Sequence, residues 1–390
     1  MNAPDIHRPI IKGWCPGALR PMLSGDGLVV RIRPRAGRLT QPQSAGIANL
    51  AQACGNGLID LSTRANIQLR GVTEASYPAL IDGLRKLRLI DETVTAEAQR
   101  NIIVSPFWQS GDAAEKIAAK LATALSANTA PQLPGKFGFA IDCGARPVLR
   151  DVPADIRLER AETGELLLCA GQSPLGQNVT DDTAVNAALA LAQWFISAGG
   201  VVDGRGRMQA LLDQGAALPA GFDAARSGTT PDRIRPGQQV YGFLVGIEFG
   251  QMPAQTLISL AELGPLRITP WRMILIEDMQ TAPALPGLIT DPDNPLLRVI
   301  ACTGAPGCVQ AHGKTRVLAR TIAPYLRDGQ LLHVSGCAKG CAHPQPALTL
   351  TATPNGFDLI FHGTADATPA RFGLTPDDLT VHPDLIVKAL

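Results

Sequence analysis

The chain has 390 residues, a formal net charge of +1, and hydrophobic residues at 45% of its positions. The near-neutral charge and an aromatic content of only 4% argue against a nucleic-acid binder, which needs a basic surface or stacking rings. With no apolar run of about 18 residues and no signal-peptide core near the start, the sequence predicts a cytoplasmic protein of two or three domains without a membrane span.

A β-α-β pattern occurs twice in the chain. The first copy predicts strands over 27–33 and 58–69 around a helix over 42–53. The second predicts strands over 240–249 and 266–276 around a helix over 253–263. A Thr-x-x-x-apolar pattern, Thr63–Ile67 and Thr269–Met273, aligns the closing strands of the two copies. The repeat predicts a pseudo-twofold domain with a site where its halves join.

A longer segment with both helical and strand patterns follows each copy. The first such segment predicts a helix over 113–125, and the second predicts a strand pair over 347–353 and 356–362. The predicted units are a first half-unit at 1–77, a first α/β domain at 78–225, a second half-unit at 235–285 and a second α/β domain at 295–390.

Four cysteines lie in Gly- and Pro-rich loops of the last segment. They form a C-x5-C pair, Cys302 and Cys308, and after 28 residues a C-x3-C pair, Cys337 and Cys341. Four thiolates at this spacing favour an iron–sulfur cluster and a redox function. Structural zinc, which suits the x3 pair better than the x5 pair, and unligated thiols remain alternatives. The other cysteines are predicted to be core or loop thiols: Cys15, Cys54, Cys143 and Cys169.

Basic residues are concentrated in the first 75 positions, where nine basic side chains oppose four acidic ones. All but one of the nine are arginines, whose planar guanidinium binds carboxylate or phosphate in a bidentate fork. The region therefore predicts a polyanionic small-molecule ligand, with a solvated basic face as the alternative for any single arginine.

The repeat, the segment TRANIQLRGV at 63–72 and the cysteine loops together resemble the nitrite/sulfite reductase superfamily. Within it, CPGALRPMLSGDGLVVRIRP at 15–34 and HVSGCAKGCAHPQPALTL at 333–350 resemble the precorrin-3B synthase family. The resemblance covers nearly the whole chain. It implies an α+β fold in which two ferredoxin-like half-units form the pseudo-twofold central domain and two α/β domains flank it.

The resemblance also implies the residues of the site. The ligands of a [4Fe–4S] cluster would be Cys302, Cys308, Cys337 and Cys341, with Cys341 nearest the tetrapyrrole. The residues that line the tetrapyrrole and anion site would be Arg31, Arg64 and Arg100, and Gln68 completes the T-R-x-x-x-Q motif. Asn66 and Arg70 are predicted to be neighbours rather than ligands.

One segment departs from the superfamily pattern. Sulfite reductases have two lysines in a K-F-K strand that hold the bound oxyanion. Here the segment LPGKFGF at 133–139 retains Lys136, but Gly138 replaces the second lysine. The loss of a cation disfavours sulfite or nitrite reduction and suits a substrate that is the macrocycle itself.

Precorrin-3B synthases are oxygen- and NADH-dependent monooxygenases of aerobic cobalamin biosynthesis, which hydroxylate precorrin-3A at C20 and close a γ-lactone. The resemblance thus implies a tetrapyrrole substrate, O2, and a mononuclear non-haem iron, whose ligands the six histidines of the sequence leave unassigned. The Gly-rich piece at 199–207 follows a helix and lacks dinucleotide-binding spacing. We therefore expect a separate reductase or ferredoxin to deliver the electrons.

Two alternatives remain at this point. One is a sirohaem-dependent nitrite or sulfite reductase, which would bind sirohaem. The other is a non-catalytic, tetrapyrrole-binding electron carrier on the same scaffold.

Overall fold

The computed structural model describes residues 15–226, 228, 233–382 and 384–387. These residues form four β-sheets with helices packed against them, an α+β architecture. Within these ranges, none of the helices has both the length and the apolar character that crossing a bilayer requires.

The first half-unit begins with a hairpin and contains two helices. Its elements are β1 (Met22–Ser24), β2 (Gly27–Ile32), β3 (Arg38–Leu39), α1 (Gln41–Cys54), β4 (Leu58–Leu61), β5 (Ile67–Val72) and α2 (Tyr77–Lys86). Thr40 starts α1 with a capping box, because its hydroxyl accepts a hydrogen bond from the Gln43 N–H while the Gln43 side chain accepts one from the Thr40 N–H.

The first α/β segment forms a six-stranded sheet in the order β11-β10-β9-β8-β7-β6. Its elements are α3 (Val94–Gln99), β6 (Ile102–Val104), α4 (Ala113–Leu125), β7 (Phe139–Asp142), β8 (Ile156–Arg160), β9 (Leu166–Ala170), β10 (Leu175–Val179), α5 (Ala184–Ser197), α6 (Met208–Asp213) and β11 (Ala224–Ala225). The helices α4 and α5 bury apolar side chains such as Leu121 and Phe195 in one core with this sheet.

The second half-unit repeats the order of the first. Its elements are β12 (Gly237–Gln239), β13 (Gly242–Ile247), β14 (Gln251–Pro253), α7 (Ala254–Leu263), β15 (Leu266–Ile268), β16 (Met273–Glu277) and β17 (Leu288–Ile289). Before β14 a single 3-10 turn contains Phe249 at φ 52°, and the matching turn before β3 contains Ala36 at φ 49°.

The second α/β segment forms a sheet in the order β18-β19-β20-β21-β22. Its elements are β18 (Val299–Ala301), α8 (Thr315–Ile322), β19 (Leu332–Ser335), β20 (Ala347–Thr353), β21 (Gly356–Gly363), β22 (Arg371–Leu374), α9 (Pro376–Val381) and α10 (Asp384–Val387). β18, β19 and β20 are parallel, whereas β21 and β22 continue the sheet in antiparallel pairing.

The two half-units exchange a short edge strand. The first sheet has the order β1-β2-β5-β4-β14, and the second has the order β12-β13-β16-β15-β3. Leu39 of the first half therefore pairs with Leu266 of the second, and Met252 pairs with Ile59 of the first. Because α1 and α7 also bury their apolar residues in one common core, the halves form a single packed unit with pseudo-twofold symmetry.

The prediction of one long closing strand in each copy is wrong. Each is a two-stranded hairpin, β4–β5 and β15–β16. The turns are stabilised by hydroxyl groups: Ser62 Oγ accepts the Asn66 N–H at 3.2 Å, and Thr269 Oγ1 donates to the Met273 carbonyl at 2.9 Å. The strand pairing aligns Ser62, rather than the predicted Thr63, with Thr269.

Candidate active site

The candidate active site is a cavity of about 320 Å³ where both half-units meet the second α/β segment. All four predicted ligand cysteines line it: Cys302, Cys308, Cys337 and Cys341. It is also lined by the predicted residues Arg31 and Gln68, and by three arginines that were not predicted to be there: Arg70, Arg272 and Arg316. Among the described residues the lining contains four guanidinium groups and one carboxylate, that of Asp60.

Strand direction explains why the cysteines meet. β18 and β19 are parallel neighbours, so the loops that follow their carboxyl ends emerge at the same edge of the sheet. Cys302 directly follows β18, and Cys337 lies two residues after β19. The Gly336 N–H donates to Cys302 Sγ at 3.1 Å. A side chain at position 336 would approach the Ala311 side chain to 2.7 Å, so glycine permits the close approach of the loops.

The cysteine environment suits a group that binds several thiolates. Burial raises the pKa of the Cys341 thiol, the charge of Lys339 opposes this, and the neighbouring thiols of Cys302, Cys337 and Cys308 add to the increase. Burial likewise raises the pKa of Cys337. Thiols that oppose one another's ionisation are stabilised as thiolates by a bound cationic centre between them. Four cysteine thiols are the type of donor set that iron–sulfur clusters use.

Arg31 and Gln68 lie directly opposite each other on β2 and β5. The Nε and Nη2 atoms of Arg31 donate to Gln68 Oε1 at 3.0 and 2.6 Å. Gln68 therefore fixes one edge of the guanidinium group.

Arg64 and Lys136 meet beside this cavity, although neither is part of its described lining. Arg64 Nη2 donates to the Lys136 backbone carbonyl at 2.9 Å, and the Lys136 side chain is exposed. The half-buried Cys15 lies in the field of Arg31, Arg64 and Lys136. Burial alone would raise the pKa of the Cys15 thiol, but these three cations outweigh it and lower the pKa below its ordinary value. The prediction that Cys15 is an ordinary loop thiol did not anticipate this environment.

Arg100 is positioned differently from the prediction. Its guanidinium is buried and binds both carboxylate oxygens of Asp91 at 2.8 Å, and its Nη2 also donates to the Arg33 carbonyl at 3.0 Å. These acceptors occupy the Arg100 guanidinium group, and Arg100 is not part of the described cavity lining. Its contacts instead connect the segment before β6 to the end of β2.

Of the three arginines not predicted to line the cavity, two have a signal in the sequence and one has none. Arg70 on β5, predicted to be only a neighbour, donates to the Gly307 carbonyl at 3.0 Å, next to Cys308. Arg272 lies in the β15–β16 turn, and comparison with the Arg64 turn of the first copy would have drawn attention to it. Arg316 follows the first residue of α8 and had no signal in the sequence.

The two half-units carry equivalent ion pairs with the charges reversed. Strand pairing places Asp60 opposite Gln251, and Arg267 opposite Arg38, at equivalent positions. In the first half Arg70 Nη1 lies 3.2 Å from Asp60 Oδ2. In the second half the arginine and the acid have changed places.

The second pair joins Arg267 Nε to Glu277 Oε1 at 2.6 Å, and Arg38 binds the same carboxylate. Arg267 stacks over the Trp108 ring, 4.3 Å from its centroid, and donates to the Trp108 carbonyl. This pair therefore faces the first α/β segment, whereas its counterpart in the first half-unit faces the cysteine loops.

Two histidines lie behind the second cysteine loop. His333 is fully buried, with no hydrogen-bond partner for either ring nitrogen among the described residues, and its ring centroid is 5.7 Å from that of His343. Burial, followed by the influence of His343 and Arg272, lowers the pKa of His333 to about 4. Within the described residues no three His, Cys, Asp or Glu side chains converge on one ion, so no ligand set for a mononuclear iron is found there.

Comparison with known proteins agrees with this architecture. A family model described as the nitrite/sulfite reductase ferredoxin-like half domain matches residues 20–87, which span β1 to α2. A precorrin-3B synthase from Sinorhizobium sp is 31% identical over 395 residues, covering 93% of this chain and 85% of that protein. The chain belongs to the precorrin-3B synthase family. Its predicted membership is confirmed, and the chain is an enzyme rather than a non-catalytic carrier.

Other relatives of this precorrin-3B synthase family member are more distant. The ferredoxin–nitrite reductase of Synechococcus elongatus is 25% identical, covering 84% of this chain and 76% of that protein. The chloroplastic ferredoxin–nitrite reductase of Zea mays is 24% identical, with coverages of 82% and 68%. The solved structure of the Mycobacterium tuberculosis NirA protein superposes with a TM-score of 0.65 at 18% identity, covering 93% of this chain and 80% of NirA. The predicted nitrite/sulfite reductase-like fold is confirmed.

Proposed function

We propose that the chain is an oxygen-dependent precorrin-3B synthase of aerobic cobalamin biosynthesis. The observation that carries the proposal is the 31% identity to a precorrin-3B synthase along 93% of the chain, against 25% and 24% for the nitrite reductases. Gly138, which stands where sulfite reductases have the second lysine of the K-F-K strand, is a sequence difference that supports it further.

A [4Fe–4S] cluster would be held by the four cysteines of the cavity: Cys302, Cys308, Cys337 and Cys341. The chemistry of the donor set and the shared cavity support this assignment. When bound, the cluster supplies one-electron transfer.

The arginines beside the cavity would bind the acidic macrocycle. Precorrin-3A carries acetate and propionate groups, and Arg31, Arg64 and Lys136 form a cationic wall around Cys15. Of these three residues, Arg31 also lines the cavity of the four cysteines. Each shielded, charge-assisted hydrogen bond stabilises such a complex by roughly 1.5–3 kcal/mol. Gln68 orients Arg31, and Arg100 holds the strands behind this wall rather than contacting substrate.

The proposed reaction balances with O2, two electrons and two protons, and the γ-lactone closes within the macrocycle without loss of a further group. One oxygen atom enters the hydroxyl group at C20 and the other leaves as water, while NADH supplies the electrons through a separate reductase or ferredoxin. Binding of the carboxylates by Arg31 and Arg64 would fix the face of C20 that reacts. The described residues do not assemble a site for mononuclear non-haem iron, and we assign no step to it.

The proposal is tested by anaerobic purification and a direct assay. We expect about four sulfides per chain, as a [4Fe–4S] cluster requires. We also expect conversion of precorrin-3A under 18O2 to a product that contains one 18O atom. Bound sirohaem together with ferredoxin-dependent nitrite reduction, and no conversion of precorrin-3A, would instead establish the reductase alternative.

The substrate-binding role of the arginines has its own test. Arg31→Met and Arg64→Ala should each weaken precorrin-3A binding about tenfold or more, the loss expected for one shielded charge-assisted hydrogen bond. Iron and sulfide content should stay unchanged. Arg85→Ala serves as the matched control, because Arg85 is exposed on α2 and pairs only with Asp82 at 2.8 Å among the contacts described. Equal affinity in the three variants would contradict the role.

A further inference from the structure

Both cysteine loops are contacted by an arginine from the central domain, one from each half-unit. Arg70 Nη2 donates to the Gly307 carbonyl at 3.0 Å, immediately before Cys308. Arg272 Nη2 donates to the Ala342 carbonyl at 3.3 Å, immediately after Cys341. Each contact is made to the backbone next to the last cysteine of its pair, so the two arginines link both cysteine loops to the central domain.

Arg70 is held in place independently of the loop. Its Nε and Nη2 atoms bind the two carboxylate oxygens of Asp26 at 2.8 and 2.7 Å, and its Nη1 binds Asp60 at 3.2 Å. The residue is 5% exposed. Because both carboxylates belong to the first half-unit, Arg70 presents a preformed donor to the Gly307 carbonyl, and Ser24 Oγ donates to the same oxygen at 3.2 Å.

Arg272 occupies a position that is unfavourable in two respects. Its φ of 61° lies in the left-handed region, where non-glycine residues are uncommon. Burial, followed by the charge of Arg316, lowers its pKa to about 10. The only carboxylate in the described cavity lining, that of Asp60, is already bound by Arg70. A left-handed backbone and a buried charge both cost free energy, and such strained positions are often found at functional sites, where the surrounding structure holds them in place.

The cavity is therefore electropositive where the thiols are. Arg316 adds a third guanidinium group, 3.9 Å from Asp60, and its Nε has no hydrogen-bond partner among the described residues. A cluster with four thiolate ligands is anionic, and reduction adds a further negative charge. Nearby cations stabilise the reduced form, so they raise the reduction potential.

We infer that Arg70 and Arg272 are positioning residues that hold the two cysteine loops at the separation the cluster needs, and that Arg272 also raises the reduction potential of the cluster. The inference rests on the proposed [4Fe–4S] cofactor. It assigns a role to the central domain, which contributes no ligand to the cluster but sets the geometry and the charge around it.

Variants at Arg272 separate the two roles, and each is compared with the full-length wild-type protein. Arg272→Gln keeps a side-chain donor but loses the charge, whereas Arg272→Lys keeps the charge. We expect Arg272→Gln to bind full iron and sulfide, and to be reduced at a more negative potential in an EPR-monitored titration. The ratio of reduced to oxidised cluster at a fixed potential should fall about tenfold, equivalent to about 59 mV for one electron. Arg272→Lys should remain near wild type.

Arg272→Met, which removes donor and charge, should in addition lose part of its iron and sulfide while its circular dichroism stays native. Arg85→Met is the control and should match wild type in both measurements. Full cluster content in Arg272→Met together with an unchanged potential in Arg272→Gln would overturn the inference and leave the proposed function intact. A wild-type protein without iron and sulfide would overturn the proposed cofactor and this inference with it.

Discussion

At the residue scale, the environment of a side chain decides its chemistry more than its type does. Eight cysteines occur in the sequence, and four of them were singled out from spacing alone. Spacing says nothing about Cys15, because its unusual property comes from Arg31, Arg64 and Lys136, which are distant in sequence. Cys169 shows the opposite result: burial dominates there and raises its thiol pKa to about 12, whereas the pKa of Cys15 is lowered.

Cys15 should react faster with alkylating agents than an ordinary thiol at neutral pH, since the thiolate is the nucleophile and its fraction grows as the pKa falls. We expect the rate of iodoacetamide modification at Cys15, followed by mass spectrometry of its peptide, to fall severalfold in Arg31→Met. Arg85→Met provides the control. Equal rates in the two variants would show that the guanidinium of Arg31 does not stabilise the thiolate.

Asp142 at the end of β7 should make stability depend on pH. It is buried, and burial raises its pKa to about 6 even though it accepts hydrogen bonds from the Leu149 and Val148 N–H groups. An acid whose folded pKa is raised binds a proton more tightly in the folded state, so stability is lost as the pH rises from the unfolded value of 3.8 through about 6.

The variant Asp142→Asn does not titrate at this position. Its free energy of unfolding relative to wild type should therefore grow between pH 4 and pH 7, by up to about 3 kcal/mol for a shift of roughly two pKa units. Urea unfolding at pH 4, 5, 6 and 7 measures the difference. Asp182→Asn is the control, because Asp182 is exposed. A difference that stays constant with pH would contradict the raised pKa.

At the scale of elements, periodic apolar patterns located the long elements well, whereas turns built by hydroxyl groups were missed. The helix predicted over 113–125 matches α4, and the strand predicted over 347–353 matches β20. The hairpins β4–β5 and β15–β16 were read as single strands. Their turns place Ala65 and Arg272 at positive φ. The first turn contains no glycine or proline to mark it, whereas the second contains Pro270, a turn signal that the prediction of a single strand overlooked.

The helix α1, which packs between the half-units, should depend on its capping box. Thr40→Ala removes the acceptor for the Gln43 N–H and should lower the free energy of unfolding by about 1 kcal/mol. Thr123→Ala on the exposed side of α4 is the control and should change it by less than about 0.5 kcal/mol. Equal effects in a urea titration would argue that Thr40 does not cap α1.

At the scale of the whole molecule, the sequence predicted the repeat but not the way its copies are joined. The exchanged strands β3 and β14 are only two and three residues long. Such short strands carry no periodicity of their own, so their pairing is decided by the tertiary fold. Prediction of the cavity from the sequence was limited in the same way. The cysteines were predictable from their spacing, whereas the positions of Arg272 and Arg316 depend on how the half-units and the last sheet pack.

The shared core predicts that the two halves of the chain fold only together. Fragments 1–226 and 227–390, expressed separately, should be insoluble or lack cooperative unfolding, because each would expose apolar residues of the common core, such as Ile47 and Leu257. Co-expression should restore a soluble complex with the circular dichroism of the intact chain. A separate 1–226 fragment that unfolds cooperatively would show that the core is divisible.

The reversed ion pairs have a consequence for stoichiometry. A duplicated scaffold with identical halves would offer two equal faces, and each could bind a cofactor loop. Here the acid in the second half lies where the first half has Arg70, and its arginine stacks on Trp108 instead of meeting a cysteine loop. Because the charges at these positions differ, the pseudo-twofold scaffold has a single polarised face. We expect one equivalent of macrocycle per chain, although the fold contains two half-units.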